Sequence, residues 1–308
     1  MKKGYSIVEI LIVIAIMGIL AGGIISAYRF IAKENVTRHL FAKQESDVAV
    51  LVNQLLKDVE SAGFGIDANT LASNTTISGG TLQFPSLASR AEKWSGCWAV
   101  VKNGTLTIQS KNFLGQNCEF PSAWYIVLDP VNKTNLCPSN SDYLCSDLTG
   151  MSGIAFYATT NDDYKYPQSF MVTYNLTQTN LPKECASGTW NLTKTLGTQG
   201  QPGYQAKQPV ISCVFPNGFR VKAGIQRGNS INYQDAVSSS DIQNHNLKLF
   251  RICLIFQVGS AQSTPSAQPG FSTLCGGGPN IDPTWWNNTG RWYRWKVIEQ
   301  DISLNNYQ

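Results

Sequence analysis

One spacing near the start of the chain offers chemistry. Gly4 ends the stretch Met1-Lys2-Lys3-Gly4, and Glu9 stands five residues further on, at the head of an apolar run from Ile10 to Ile25. A carboxylate in such a segment costs about 2.5 to 3.5 kcal/mol on insertion scales, so it calls for a cationic partner. Cleavage between Gly4 and Tyr5 would create one, a new α-ammonium on Tyr5. On one helix that ammonium and the Glu9 carboxylate lie a little over one turn apart. On two helices shifted along their axes, the ammonium of one meets the carboxylate of the next. The pair then sets a register for stacking subunits into a filament.

Other groups that could do chemistry are few. With only His39 and His245 present, a Ser-His-Asp or Cys-His arrangement would have to use His245, which lies in the polar run Asp241 to Asn246 and reads as a loop residue. Asn161-Asp162-Asp163 and Asp129-Pro130 lack the ligand spacing of a calcium loop and read as turns. No catalytic residue, metal site or cofactor is expected. The cluster Trp285, Trp286, Trp292, Tyr293 and Trp295 is interleaved with Arg291, Arg294 and Lys296. Such groups can stack on sugars or single-stranded bases, which makes Trp285, Trp286 and Arg291 candidate surface-binding residues. Tyr293, Trp295 and Val297 also alternate as a buried strand face does, and core packing is the favoured reading.

The elements that must position these residues begin with a membrane helix. Lys2 and Lys3 keep the extreme N-terminus cytoplasmic. Tyr5 to Tyr28 is long enough to cross a bilayer, for which about 20 apolar residues suffice. A conventional cleaved signal has an apolar core of roughly 7 to 15 residues and a small-x-small site. This run is longer, contains Glu9, and offers only Ala21-Gly22-Gly23. Gly18, Gly22 and Gly23 would let helices approach closely or act as a hinge. Val48, Leu51, Val52, Leu55, Leu56, Val59 and Ala62 then follow the spacing of one helical face, and Gly63 and Gly65 end the pattern. One helix from Tyr5 to Ala62 would be about 87 Å long. Its polar face, with Arg29, Lys33, Arg38, Lys43, Glu45, Asp47, Asp58 and Glu60, reads as solvated.

The chain has 308 residues, 14% of them charged, and a net charge of +4 spread along its length, so nucleic acid is not implied as a partner. Its eight cysteines, Cys97, Cys118, Cys137, Cys145, Cys185, Cys213, Cys253 and Cys275, all follow the helix. An even number in an exported chain reads as disulfides, and without a C-x-x-C motif zinc has little support. Of the possible pairings, neighbours along the chain are expected. From Ile66 onward strands and turns dominate. Val100 to Ile108 is a hairpin around Asn103-Gly104. Further strands are expected at Tyr125 to Leu128, Ile154 to Thr159, Phe170 to Leu176, Cys213 to Phe215, Phe219 to Ile225, Leu247 to Val258 and Trp295 to Leu304, with a Pro216-Asn217-Gly218 turn. Ala186 to Gln208 and Gly259 to Arg291 read as long surface loops, the second tethered by Cys253 to Cys275. The expectation is one antiparallel sheet with long excursions.

The leader Lys2-Lys3-Gly4-Tyr5, with Glu9 and its apolar run, resembles the class III leader of type IV pilins and pseudopilins. Tyr5 stands where phenylalanine is commoner in that family. The resemblance implies cleavage by a prepilin peptidase at Gly4/Tyr5, N-methylation of Tyr5, and an assembly-register role for Glu9. It implies the α+β type IV pilin fold, a long N-terminal helix packed on an antiparallel β domain with disulfide-tethered loops. The parts would be a leader at 1–4, a helix at 5–62 (membrane and filament core to 28, amphipathic beyond) and a globular domain at 63–308. Asp58-Val59-Glu60-Ser61-Ala62-Gly63-Phe64-Gly65, the segment Val221 to Gly259, and the close from Tyr293 to Asn306 resemble the minor pilin PilW family. That likeness implies a non-enzymatic subunit that helps start the pilus and sits at or near its tip. Its partners would be other minor pilins, the major pilin and a PilY-type adhesin, and it would move from the inner membrane to the cell surface. A J-type pseudopilin of type II secretion, or a pilin whose loops act as an adhesin, is the alternative. Glu9 argues against the K-type subunit.

Overall fold

The computed structural model describes residues 16–18, 20–28, 48–90, 93–108, 110–112, 115–119, 123–138, 143–160 and 163–304. Residues 1–49 and 50–308 form two compact units. In the first, residues 16–18 and 20–28 are helical and exposed, with Ile16, Met17, Leu20, Ile24, Ile25 and Tyr28 open to their surroundings. Among the described residues no helix is long and apolar enough to cross a membrane. The expected cleavage site at Gly4 and Tyr5, Glu9, His39, and most of the single helix expected from Tyr5 to Ala62 lie outside the described residues, as do Asn161 and Asp162.

Helix α1, residues 48–60, buries Val52, Leu55 and Val59 and exposes Asn53, Gln54, Lys57 and Glu60. That is the one-faced burial its apolar spacing dictates. A turn over 61–65 follows, with left-handed backbone at Gly63 (φ 77°) and Gly65 (φ 69°). Three short helices sit in the β-rich remainder: α2, Ala68–Asn74, capped by the Asp67 carboxylate; α3, Ser239–Gln243, capped by Ser238; and α4, Pro283–Asn288, capped by Asp282.

Two antiparallel sheets replace the single one expected. The larger holds β1 (Thr76–Ser78), β2 (Thr81–Pro85), β7 (Met171–Thr177), β8 (Trp190–Leu196), β9 (Gln205–Arg227), β10 (Ser230–Gln234), β11 (Leu247–Val258) and β12 (Arg294–Ser303). Its order is β1-β2-β7-β8-β9-β11-β12, with β10 paired to the end of β9. The smaller holds β3 (Trp98–Lys102), β4 (Thr105–Ile108), β5 (Trp124–Leu128) and β6 (Gly153–Thr159), ordered β4-β3-β6-β5. The chain between β2 and β7 makes this second sheet, while β2 and β7 themselves pair, Leu82 opposite Tyr174 and Phe84 opposite Val172. The small sheet is therefore an insertion. The Asn103-Gly104 hairpin joins β3 to β4, with both turn residues at positive φ, as a tight two-residue turn requires.

Two local expectations give way. Ala186 to Gln208 is not all loop, because β8 crosses it: Leu192, Asn191 and Thr193 are buried there, and its threonines suit a pleated surface despite their polarity. Pro216-Asn217-Gly218 is not a chain-reversing turn but an irregularity inside the long β9, between the pairs Leu254–Phe219 and Phe256–Val214. Asn217 sits at φ 56°, and a Cβ on Gly218 would lie 2.8 Å from the Ile255 carbonyl oxygen on β11. Glycine lets the kinked strand stay against its neighbour. The eight cysteines form four disulfides between chain neighbours: Cys97–Cys118, Cys137–Cys145, Cys185–Cys213 and Cys253–Cys275.

Candidate functional site

The end of α1 is where the chain joins its parts. Asp58, expected on a solvated face, is instead withdrawn from water: its side chain is 15% exposed and that of its partner Lys194 is 14% exposed. Lys194 Nζ and the Tyr174 hydroxyl both donate to Asp58 Oδ2. Tyr174 on β7 and Lys194 on β8 stand directly opposite each other in the sheet, so one carboxylate from the helix bridges a cross-strand pair. Burial pushes the Tyr174 hydroxyl well above its ordinary range, and the charge and hydrogen bond of Asp58 add to it. The phenol therefore stays a donor. Asp58 fails as a solvated residue because the helix turns it toward the sheet beside buried Leu55 and Val59. Nothing in the linear pattern marked Tyr174 or Lys194 as its partners, since only the strand register brings them together.

One turn later, serine hydroxyls continue the join. Ser86 Oγ donates to the Ser61 carbonyl at 2.7 Å, and Ser61 Oγ lies 3.2 Å from the hydroxyls of both Ser86 and Ser89. The Gly63 amide donates to the Pro85 carbonyl, and the Leu87 amide donates to that of Phe64. Phe64 packs edge-on against Phe156 of the small sheet, ring centres 5.1 Å apart. A Cβ at Gly65 would lie 2.5 Å from Leu87 Cδ1 and 2.9 Å from Phe156 Cβ. The stretch from Asp58 to Gly65 thus fastens the helix to the large sheet through polar contacts and to the small sheet through apolar ones. The Tyr166 hydroxyl donates to Asp67 Oδ2 at 2.6 Å, and burial first, then the Asp67 charge, holds that phenol well above its usual range.

Beside this junction lies a cleft of about 420 Å³, lined by Gln54, Lys57 and Asp58 of α1, Arg90, and Gln205 and Gln208 of β9. Among the described residues its lining contains no histidine and no cysteine. His245 sits exposed in the turn after α3, and Asp129 accepts hydrogen bonds from the Val131 and Asn132 amides in a turn.

The tryptophan cluster is packed rather than displayed. Phe215, fully buried, receives Trp285 edge-on at 5.2 Å and Trp295 at 4.7 Å, with Trp286 at 6.3 Å. The indole N–H of Trp285 donates to the Ser187 carbonyl, and that of Trp295 to Gly290. Cys253, Cys275, Ile255, Phe271 and Ile281 pack in the same cluster. Trp285 and Trp286 keep a half-exposed edge, and Arg291 lies over Trp292 at 5.1 Å rather than beside them. The expected alternation along β12 is incomplete, since Val297 is exposed: β12 ends the sheet and only one of its sides is paired.

Among known proteins, residues 1–25 match the family model described as the prokaryotic N-terminal methylation motif. No curated protein and no solved structure matches the chain. The match covers the positions of Gly4, Tyr5 and Glu9 and supports a pilin or pseudopilin subunit associated with the cell envelope.

Proposed function

We propose that the chain is a non-enzymatic minor pilin of the PilW type, which helps initiate type IV pilus assembly and sits at or near the pilus tip. The observation that carries this reading is the methylation-motif match over residues 1–25, with Glu9 at the head of its apolar run. A prepilin peptidase cuts after Gly4 and the new Tyr5 terminus is methylated. The Glu9 carboxylate neutralises the terminal ammonium of an adjacent subunit and fixes the axial register between them. An antiparallel β domain fastened to α1 by Asp58, Ser61 and Phe64 supports the same reading, because the pilin resemblance implies a helix packed on such a domain. The β domain presents its surfaces to other minor pilins, the major pilin and a PilY-type adhesin.

Glu9→Ala tests the mechanism. The variant inserts into the inner membrane and folds with its disulfides formed, but its share in sheared surface filaments falls at least tenfold relative to the membrane fraction, the loss expected when a charge in a low-dielectric environment loses its partner. Unchanged incorporation would contradict the register role.

A further inference from the structure

On the large sheet, away from the helix end, a second recess of about 360 Å³ is lined by Gly79 and Gly80 of the β1–β2 turn, Arg220 and Lys222 of β9, Asp235 and Gly276. Lys222 is 8% exposed. Its ammonium meets a carboxylate, Asp235 Oδ1 at 2.5 Å, but that aspartate is 82% exposed and its hold is screened by water. The Arg220 guanidinium lies over the Phe271 ring at 5.5 Å, and of its nitrogens only Nη1 donates, to the carbonyls of Cys275 and Gly277 at 3.3 and 3.2 Å. Among the described residues, Nε and Nη2 of Arg220 make no hydrogen bond. Arg251 stands opposite Lys222 across the sheet, and both Nε and Nη2 of its guanidinium donate to Asp301. The recess therefore holds two cations against one exposed carboxylate. Glycine keeps one wall close to the cations: a Cβ on Gly276 would lie 3.3 Å from Lys222 Nζ and 3.4 Å from an Arg220 nitrogen.

We infer that this recess is a carboxylate-binding site, in which Asp235 is a displaceable occupant and an incoming carboxylate takes its place on Lys222 while engaging the unused nitrogens of Arg220. A charge-assisted fork of this kind favours a planar two-oxygen anion. The group comes from an acidic side chain on a protein partner or from a small free acid, and the chemistry is the same for both. The site does not depend on the pilin reading.

The test uses the full chain in detergent micelles and follows the amide resonances of Gly79, Gly80 and Gly276. The probes are acetate, the peptide acetyl-Gly-Glu-Gly-amide and its glutamine counterpart. Saturable shifts with acetate or the glutamate peptide, and none with the glutamine peptide, are expected. Asp235→Asn, which removes the competing carboxylate, tightens binding about tenfold. Arg220→Gln abolishes the shifts at Gly79 and Gly80 while leaving resonances outside the segment it holds, residues 271–278, unchanged. Tighter binding of the glutamate peptide than of acetate assigns the source to a protein side chain, and equal binding to a free acid. Equal shifts with the glutamine peptide, or no saturable shift in either the wild type or Asp235→Asn, would overturn the site.

Discussion

The large sheet and the inserted small sheet each carry two disulfides but differ in how much apolar burial accompanies them. In the large one, β9 and β11 pair over long stretches, and β11 carries a run of side chains almost wholly out of water, Phe250, Ile252, Cys253, Leu254, Ile255 and Phe256. In the small one the strands are four to seven residues long, and among the described residues the buried cluster counts eleven, of which four are the cysteines of two disulfides. Limited apolar area is compensated there by cross-links, as in small exported domains. The large sheet should accordingly be sensitive to lost volume and the small one to lost bonds.

Truncation in the large sheet has the largest expected effect. Phe256→Ala costs about 3 to 5 kcal/mol, read as a shifted denaturation midpoint, whereas Val127→Ala in the small sheet costs about 2. Equal costs would break the contrast. Next comes the junction between helix and sheet. Asp58→Ala leaves the Lys194 ammonium withdrawn from water without its carboxylate and costs about 3 kcal/mol, and adding Lys194→Met recovers part of it. If the double variant is no better than the single, the pair does not lock the helix to the sheet.

Removing a disulfide of the small sheet is the third test. A Cys137→Ser and Cys145→Ser double change, opening a short loop, costs about 2.5 kcal/mol by loop entropy. Hydrogen exchange should show β5 and β6 opening while β9 and β11 keep their protection. The smallest effect concerns pH. Tyr166 and Tyr174 have hydroxyls held above their ordinary range by burial and then by adjacent carboxylates. The stability this contributes is fully present below about pH 10, the unfolded value, and is lost as pH rises from there through the folded values. In an absorbance titration these two phenols ionise only with unfolding, and reversible ionisation of all twelve tyrosines in the native protein would contradict it.

Much of the large sheet was legible in the chain itself. Leu247 to Val258 is dense in β-branched and aromatic residues, and it forms β11 over those residues. Asn103-Gly104 marked its hairpin, and the four disulfides join the cysteines nearest each other in the chain. What stayed hidden depends on contacts between distant segments. The threonines of β8 look like a loop until Leu192 is seen against the core, and Pro216-Asn217-Gly218 looks like a turn until pairing on both flanks holds the strand in the sheet. Asp58 reads as solvent-facing because its partners are 116 and 136 residues away. The split into two sheets is of the same kind, since it rests on β2 finding β7 across an insertion. The leader motif over residues 1–25 was legible because a leader is a local signal, whereas Tyr174, Lys194 and the Arg220–Lys222 recess are products of register.

The central claim is that this chain is a pilin-type subunit processed at its leader, and intact mass with N-terminal sequencing of the protein from membranes and from sheared surface filaments tests it most directly. The account predicts a mature chain that begins at N-methylated Tyr5, is present in trace amounts in the filaments, and is eight hydrogens lighter than its reduced form, two for each of four disulfides. An N-terminus near Gly23 or Ala27 would contradict it, and the β domain would then be a free periplasmic protein.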